Sequence, residues 1–361
     1  MRVVFLVKGR DDLKAEAKFS SGSELYILDF AKLEVGDIIL TRTNEFQSKV
    51  IRRVTGGGFS HALIYVDNVS CIHATKHGVH SLNIQRLLFE SGSDVAVIRL
   101  KPEHAVSKQV YKEICDYTRE KVAVRYDKKN ALAAGLSHLN PEIKADATSE
   151  LQFCSQLVFE AYASQGIIIS PKGRFCTPAD IEESEFFQEV KAPAVLATTA
   201  EKLFALDESR DKIKIQTKAT NFIFNNARKK ISRKINTFED LYQLAVNDRK
   251  IDLKISKILK ESRYLDMSKY EVEGCPWRYS YAAFKQLGLS AQEESDMIRS
   301  EIDCALTQIS KYESAVKQYG ELYVLHRSIS IKYTLAAFRN MLTISYVRYN
   351  LFIGLRERNH L

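Results

Sequence analysis

Along the first half of the chain, short apolar runs alternate with helical spacings. Val35-Gly36-Asp37-Ile38-Ile39-Leu40 reads as a turn feeding a buried strand. Asn44 sits where an N-cap belongs. Val50, Ile51 and Val54 continue as a short helix that Gly56-Gly57-Gly58 ends. Ala62-Leu63-Ile64-Tyr65-Val66 is continuously apolar, as in a strand covered on both faces. Asp67-Asn68 then turns the chain, and Cys71 to Ala74 and Val79 to Leu82 follow as strands. Asp94 to Leu100 is a further one. The spacing of Val110, Ile114 and Tyr117 predicts a helix from Ser107 to Arg119. Between Leu151 and Gln165, the residues Leu157, Val158, Ala161 and Tyr162 form one apolar stripe. Gly166 follows where a left-handed cap is expected. Cys154 lies near the start of that helix.

After about residue 200 the pattern changes. Strand-like runs nearly vanish, and Lys and Arg become dense, as in Arg228 to Lys234. Ser290 and Glu293 form a capping box that opens a long helix. Within it Ile298, Ile302, Ala305, Ile309, Tyr312, Val316 and Tyr319 alternate four- and three-residue steps, a seam for packing on another helix, which Gly320 closes. Leu322 to Leu355 reads as one or two further helices. These signals divide the chain into residues 1–200, with strands and helices, and residues 201–361, an all-α domain.

With 361 residues, two domains are expected. The formal net charge of +8 favours anionic partners, such as a phospholipid surface or an acidic protein face. The basic run from Arg228 to Lys234 has little aromatic interleaving, so nucleic acid is not an expected partner. The six cysteines are scattered without a CxxC pair, which points to free thiols in a reducing compartment. His73, His77 and His80 do not fall on one helical face, so no metal site is expected, and no cofactor either. The apolar run Val3 to Val7 is too short for a secretory leader and reads as a strand. The longest apolar stretch, Tyr333 to Leu355, is interrupted by Arg339 and Arg348. A soluble protein, made in the cytoplasm and exported, if at all, without a cleaved signal, is the expectation.

A nucleophilic cysteine needs a base and donors for the developing oxyanion. The first turn of a helix offers free N–H groups and a partial positive charge that favour a thiolate. Cys154 is the one cysteine placed there. Cys115 is mid-helix, Cys71 opens a strand, Cys304 is inside a C-terminal helix, Cys176 is in a loop, and Cys275 precedes a proline.

Several motifs fall in one order: Gly36-Asp37-Ile38-Ile39, Phe59-Ser60-His61-Ala62, His73-Ala74, Tyr126-Asp127, and Phe153-Cys154-Ser155-Gln156-Leu157-Val158. With Thr177-Pro178-Ala179-Asp180 as a tail, this set over roughly residues 33 to 185 resembles the YiiX/YaeF-like branch of the permuted NlpC-type, papain-like superfamily. The resemblance implies an α+β fold: a circularly permuted papain-like domain with a small antiparallel sheet or barrel packed on helices, followed here by the all-α domain. It implies Cys154 as nucleophile, His61 as base, and His73 where the family places a polar orienting residue, often Glu. His77 and His80 are close enough in sequence to take the place of His73. A neutral imidazole can fix the tautomer of His61 but stabilises an imidazolium less than a carboxylate would. The backbone N–H of Cys154 is expected to supply half of an oxyanion hole, and the Ser155 hydroxyl to satisfy the helix end.

Three functions fit this reading. The first is a cysteine amidase or peptidase acting through a thioester on a peptide or amide. The second is a lipid-acting acyltransferase or thioesterase with an acyl-lipid substrate. The third is an interaction protein, secreted or delivered to a partner, whose helical half finds a membrane or an acidic protein face. Intact Cys and His at the matching positions favour an enzyme.

Overall fold

The computed structural model describes residues 24–42, 57–67, 69–75, 77–127, 130–131, 133–134, 152–207 and 211–358. The strand expected at Val3 to Val7 and the helix expected from Asn44 through Val54 lie outside them. Two compact units emerge, Met1–Ser209 and Arg210–Leu361.

The first unit is built on a six-stranded antiparallel sheet in the order β5-β4-β3-β2-β6-β7. Its strands are β2 (Ile38–Thr41), β3 (His61–Asp67), β4 (Ser70–Thr75), β5 (Gly78–Asn83), β6 (Val95–Leu100) and β7 (Phe187–Glu189). A separate pair joins β1 (Tyr26–Leu28) to β8 (Ala194–Leu196). The sheet is open; no closed barrel forms among the described residues. Its helices include α1 (Lys108–Glu120), α2 (Cys154–Ala163), α3 (Pro178–Glu182) and α4 (Thr199–Leu206).

Strand alternation explains the two cores. Ile38, Leu40, Ala62 and Ile64 face Ile114 and Cys115 of α1 and Leu157, Val158, Ala161 and Tyr162 of α2. Ile39, Leu63, Tyr65, Cys71 and Val97 fill the other face with Leu28. β2, β3 and β6 are mostly apolar because both their faces are covered.

The Gly36-Asp37 motif is the anchor between sheet and helices. Gly36 has φ +94°, and a Cβ there would come within 2.4 Å of the Tyr111 ring, so only glycine fits. Its carbonyl accepts from the Tyr162 hydroxyl of α2 at 2.5 Å. The Asp37 carboxylate takes two bonds from Arg99, at 2.7 and 2.8 Å, and one from the Glu34 N–H at 2.8 Å. Its place is structural.

The second unit is helical throughout its described residues: α5 (Lys212–Lys230), α6 (Phe238–Asn247), α7 (Arg249–Glu261), α8 (Met267–Gly274), α9 (Tyr281–Lys285), α10 (Ala291–His326) and α11 (Ile329–Arg358). Ser290 and Glu293 form the expected capping box at the start of α10. The seam buries Ile298, Ile302, Ala305 and Ile309, while Tyr312, Val316 and Tyr319 are only half-buried. α10 does not stop at Gly320. It continues to His326, where Arg327 turns the chain in the left-handed conformation, and α11 returns antiparallel as one helix. A mid-helix glycine costs about 1 kcal/mol relative to alanine, which packing along α11 offsets.

Buried charge sits at this helix pair. Arg348 is 2% exposed and bonds Glu301 through Nε at 2.6 Å. Arg278 reaches the same carboxylate at 3.1 Å. Asp252 of α7, also buried, accepts from the N–H groups of Ile329 and Ser330 and the hydroxyls of Ser328 and Ser330, closing the start of α11. Among the described residues, no helix is long and apolar enough to cross a membrane.

Candidate active site

Cys154 is the first residue of α2, with Phe153 as N-cap. The segment before it is tied down by Tyr126, which bridges Gln152, and by the Asp127 N–H donating to the Gln152 carbonyl at 2.8 Å. The Asp127 carboxylate holds Asn130 through both its N–H and its side-chain amide, so the Tyr126-Asp127 motif helps fix the segment that leads into Cys154. From the helix side, Glu160 accepts from the Gln152 and Gln156 amides at 2.8 and 2.9 Å, from the Tyr117 hydroxyl at 2.9 Å, and from Arg174 at 3.0 Å. No local sequence pattern signals this cluster. Its members come from four separated segments, and only packing brings them to one carboxylate.

The Ser155 hydroxyl does not serve the helix end as expected. It donates to the Cys176 carbonyl at 2.7 Å and fastens the tail that leads into α3. Thr177 and Asp180 then form a capping box there. Glu182 of α3 reaches back to the Gly58 N–H at 3.1 Å, next to the chain that enters β3 at His61.

The pairing of β3 with β4 runs from Ile64↔Ile72 to Asp67↔Ser70 and does not extend to His61. At this open end the Cys154 thiol meets the backbone N–H of Ala62, the residue after His61, along with the N–H groups of Ser155 and Cys154 itself. Three N–H groups around one sulfur can hold negative charge on it, or on an oxygen of a bound carbonyl. Burial nevertheless pushes the thiol above its ordinary range, outweighing these donors. The helix start alone therefore does not give a resting thiolate, as the sequence suggested it would.

His61 begins β3 and keeps some solvent exposure, whereas His73 on β4 is buried. His61 Nε2 and His73 Nδ1 are 2.8 Å apart. Beyond them, His73 Nε2 meets His80 Nε2 at 3.0 Å, and His80 Nδ1 meets the Gly78 carbonyl at 3.0 Å. His73 and His80 are direct partners across β4 and β5. His77 is exposed and outside this line. Burial lowers His61 to about 4, and lowers His73 and His80 as well, so all three rings are neutral near pH 7. Nitrogens 2.8 to 3.0 Å apart have room for a hydrogen between them. They do not suit two bonds of about 2.0–2.1 Å to one tetrahedral zinc. Among the described residues no group of three His, Cys, Asp or Glu is arranged to hold a metal ion.

The structure thus brings His61 and His73 into direct contact and sets Cys154 against the same strand end. No hydrogen bond joins Cys154 to His61 among the described residues. Strand alternation accounts for this gap. His73 and His80 share the sheet face of Cys71 and Leu82, opposite the face that α2 covers, so the thiol approaches around the end of β3. Tyr126 is a further neighbour: burial and the adjacent Cys154 raise its phenol.

An open antiparallel sheet with a cysteine-bearing helix start at one end, and the cysteine late in the domain, defines a permuted papain-like domain. Residues 32–199, just under half of the chain, match the family described as permuted papain-like amidase enzyme, YaeF/YiiX, C92 family, so this segment is similar to that family. Among solved structures, the metalloprotein yiiX from Escherichia coli O157:H7 matches with 12% identity over 44% of this chain and 97% of its own, at a TM-score of 0.29. A comparison with curated proteins finds no match.

Proposed function

We propose that the first unit is a hydrolase of the amidase type, a reading that the family match over residues 32–199 supports. We propose that Cys154 is its nucleophile, His61 its base and His73 the group that orients His61. His61 takes the thiol proton as sulfur bonds the amide carbonyl carbon, and the oxyanion faces the backbone N–H of Cys154. Collapse breaks the C–N bond while His61 returns the proton to the leaving amine. Water, deprotonated by His61, then cleaves the thioester and restores the thiol. The observation that carries this reading is the shared strand end: Cys154 touches the N–H of Ala62, and the preceding residue, His61, is held by His73 at 2.8 Å.

The test is covalent trapping. A peptidyl electrophile and a fatty-acyl electrophile are each incubated with the full chain and the adducts located by mass spectrometry. Modification of Cys154 by the peptidyl probe, absent in Cys154→Ala, supports an amidase or peptidase. Faster reaction with the fatty-acyl probe would move the assignment to lipid acyl transfer. Equal labelling of Cys154→Ala would overturn the nucleophile.

The excess positive charge favours a second element of the proposal. Residues 210–361 carry 27 Lys and Arg against 17 Asp and Glu, so the chain's basic character resides in the helical unit. We propose that this unit holds the enzyme at an anionic lipid surface. Sedimentation with phosphatidylserine vesicles should exceed that with phosphatidylcholine vesicles and fall with salt. Equal sedimentation with both would contradict it.

A further inference from the structure

The histidine line does not end at His73, and its far end determines what its near end can do. A carbonyl oxygen only accepts hydrogen bonds, so the bond from His80 Nδ1 to Gly78 places a hydrogen on Nδ1. A neutral imidazole carries one N–H, so His80 Nε2 is an acceptor. His73 must then donate from Nε2 across the 3.0 Å contact, which leaves its Nδ1 as a lone pair. That lone pair accepts from His61 Nε2 at 2.8 Å. His61 is left with its own lone pair on Nδ1. Three tautomers are thus set in series from one backbone carbonyl.

The fold holds that carbonyl firmly. Gly78 has φ +91°, and a Cβ there would come within 2.6 Å of the Val124 carbonyl oxygen, so no other residue fits. The N–H of Val79 donates to the same Val124 carbonyl at 2.8 Å, and the N–H of Ala123 donates to the Val79 carbonyl at 2.8 Å. Direct pairing of His73 with His80 stacks the two rings edge-on at 4.4 Å between centroids, giving little freedom to reorient.

We infer that His80 is a positioning residue that acts through His73 to make Nδ1 of His61 the nitrogen available to receive a proton. This rests on the reading of Cys154 and His61 as the reacting pair, but the tautomers themselves do not. A role for His80 in strand packing alone would leave the tautomer of His61 indifferent to what replaces it.

The experiment is nitrogen-15 NMR of the histidine side chains in the full chain at neutral pH, combined with the rate at which iodoacetamide alkylates Cys154, read on its peptide by mass spectrometry. In the wild-type chain His61 should show a protonated Nε2 and an unprotonated Nδ1. His80→Gln supplies an amide oxygen where His73 Nε2–H donates, and should keep that pattern and more of the rate than His80→Leu. His80→Lys puts a donor there instead, reverses the line, and should place the hydrogen of His61 on Nδ1, with a rate loss of roughly a hundredfold. A wild-type His61 protonated at Nδ1, or a His61 tautomer identical in the wild-type, leucine and lysine forms, would overturn the assignment. If the tautomers shift as stated but His61→Ala leaves the alkylation rate unchanged, the positioning role of His80 stands and the reacting pair falls.

Discussion

His61 Nε2 and His73 Nδ1 lie 2.8 Å apart at the end of β3 where its pairing with β4 has stopped. One ring is partly open to solvent and the other is buried, so His73 can hold His61 without competing for substrate. The two should respond differently to substitution. On the proposed roles, His61→Ala should remove activity as fully as Cys154→Ala, because a nucleophile and its base work as one unit. His73→Ala should lose less, since it removes orientation and not the proton acceptor. Turnover of a common peptide substrate by the three variants checks the order; a His73→Ala loss equal to that of His61→Ala would contradict it.

The acid limb of activity follows from the neutral rings. His61 must be unprotonated to act as base, so activity should fall on acidification with a midpoint near its lowered value of about 4. His73→Glu sets a carboxylate beside His61 and favours its protonated form. The midpoint of that variant should therefore lie higher than in the wild type, which pH–rate profiles would show. An unmoved midpoint would mean that His73 does not sense the charge on His61.

Stability should depend on the same groups. His61, His73 and His80 all have folded values below those of the unfolded chain, so they favour folding most fully above the ordinary histidine value of about 6.5. As pH falls below that, the unfolded state gains protons that the folded first unit resists, and stability drops until His61 titrates near 4. Thermal melts between these limits should show a declining transition for the first unit. Replacing His61 by Gln should flatten the decline.

The helical unit has its own weak point. Arg348→Leu takes away the buried partner of Glu301 and leaves it Arg278 at 3.1 Å, so it should cost at most about 3–5 kcal/mol in the denaturant unfolding transition of the helical unit. An effect within about 0.5 kcal/mol, as for an ordinary surface change, would show that the Glu301–Arg348 pair is not held as the structure has it.

Much of this was legible in the chain. The stripe Leu157, Val158, Ala161, Tyr162 put Cys154 at a helix start, and Ser60-His61 before an apolar run put His61 at a strand start; both places are as expected. The line through His80 was open to inference too. Thr75 and Gly78 are separated by two residues, and a two-residue hairpin fixes His73 opposite His80. What local pattern could not show is long-range closure. Glu160 gathers donors from Tyr117, Gln152, Gln156 and Arg174, and the gap at the end of β3 depends on where α2 and α3 dock. The same holds for α10. Gly320 looks like a stop when read alone, but a neighbouring helix outweighs one residue's propensity.

The pairing of thiol and imidazole is tested most directly by the pH dependence of Cys154 alkylation by iodoacetamide in the wild-type chain and in His61→Ala. With His61 as base, the wild-type thiol should react well below neutral pH, its rate rising as His61 loses its proton near 4. In His61→Ala the rate should follow the thiol alone, which burial holds above its ordinary range, so reaction should appear only in alkaline solution. Superimposable profiles for the two proteins would show that His61 does not act on Cys154.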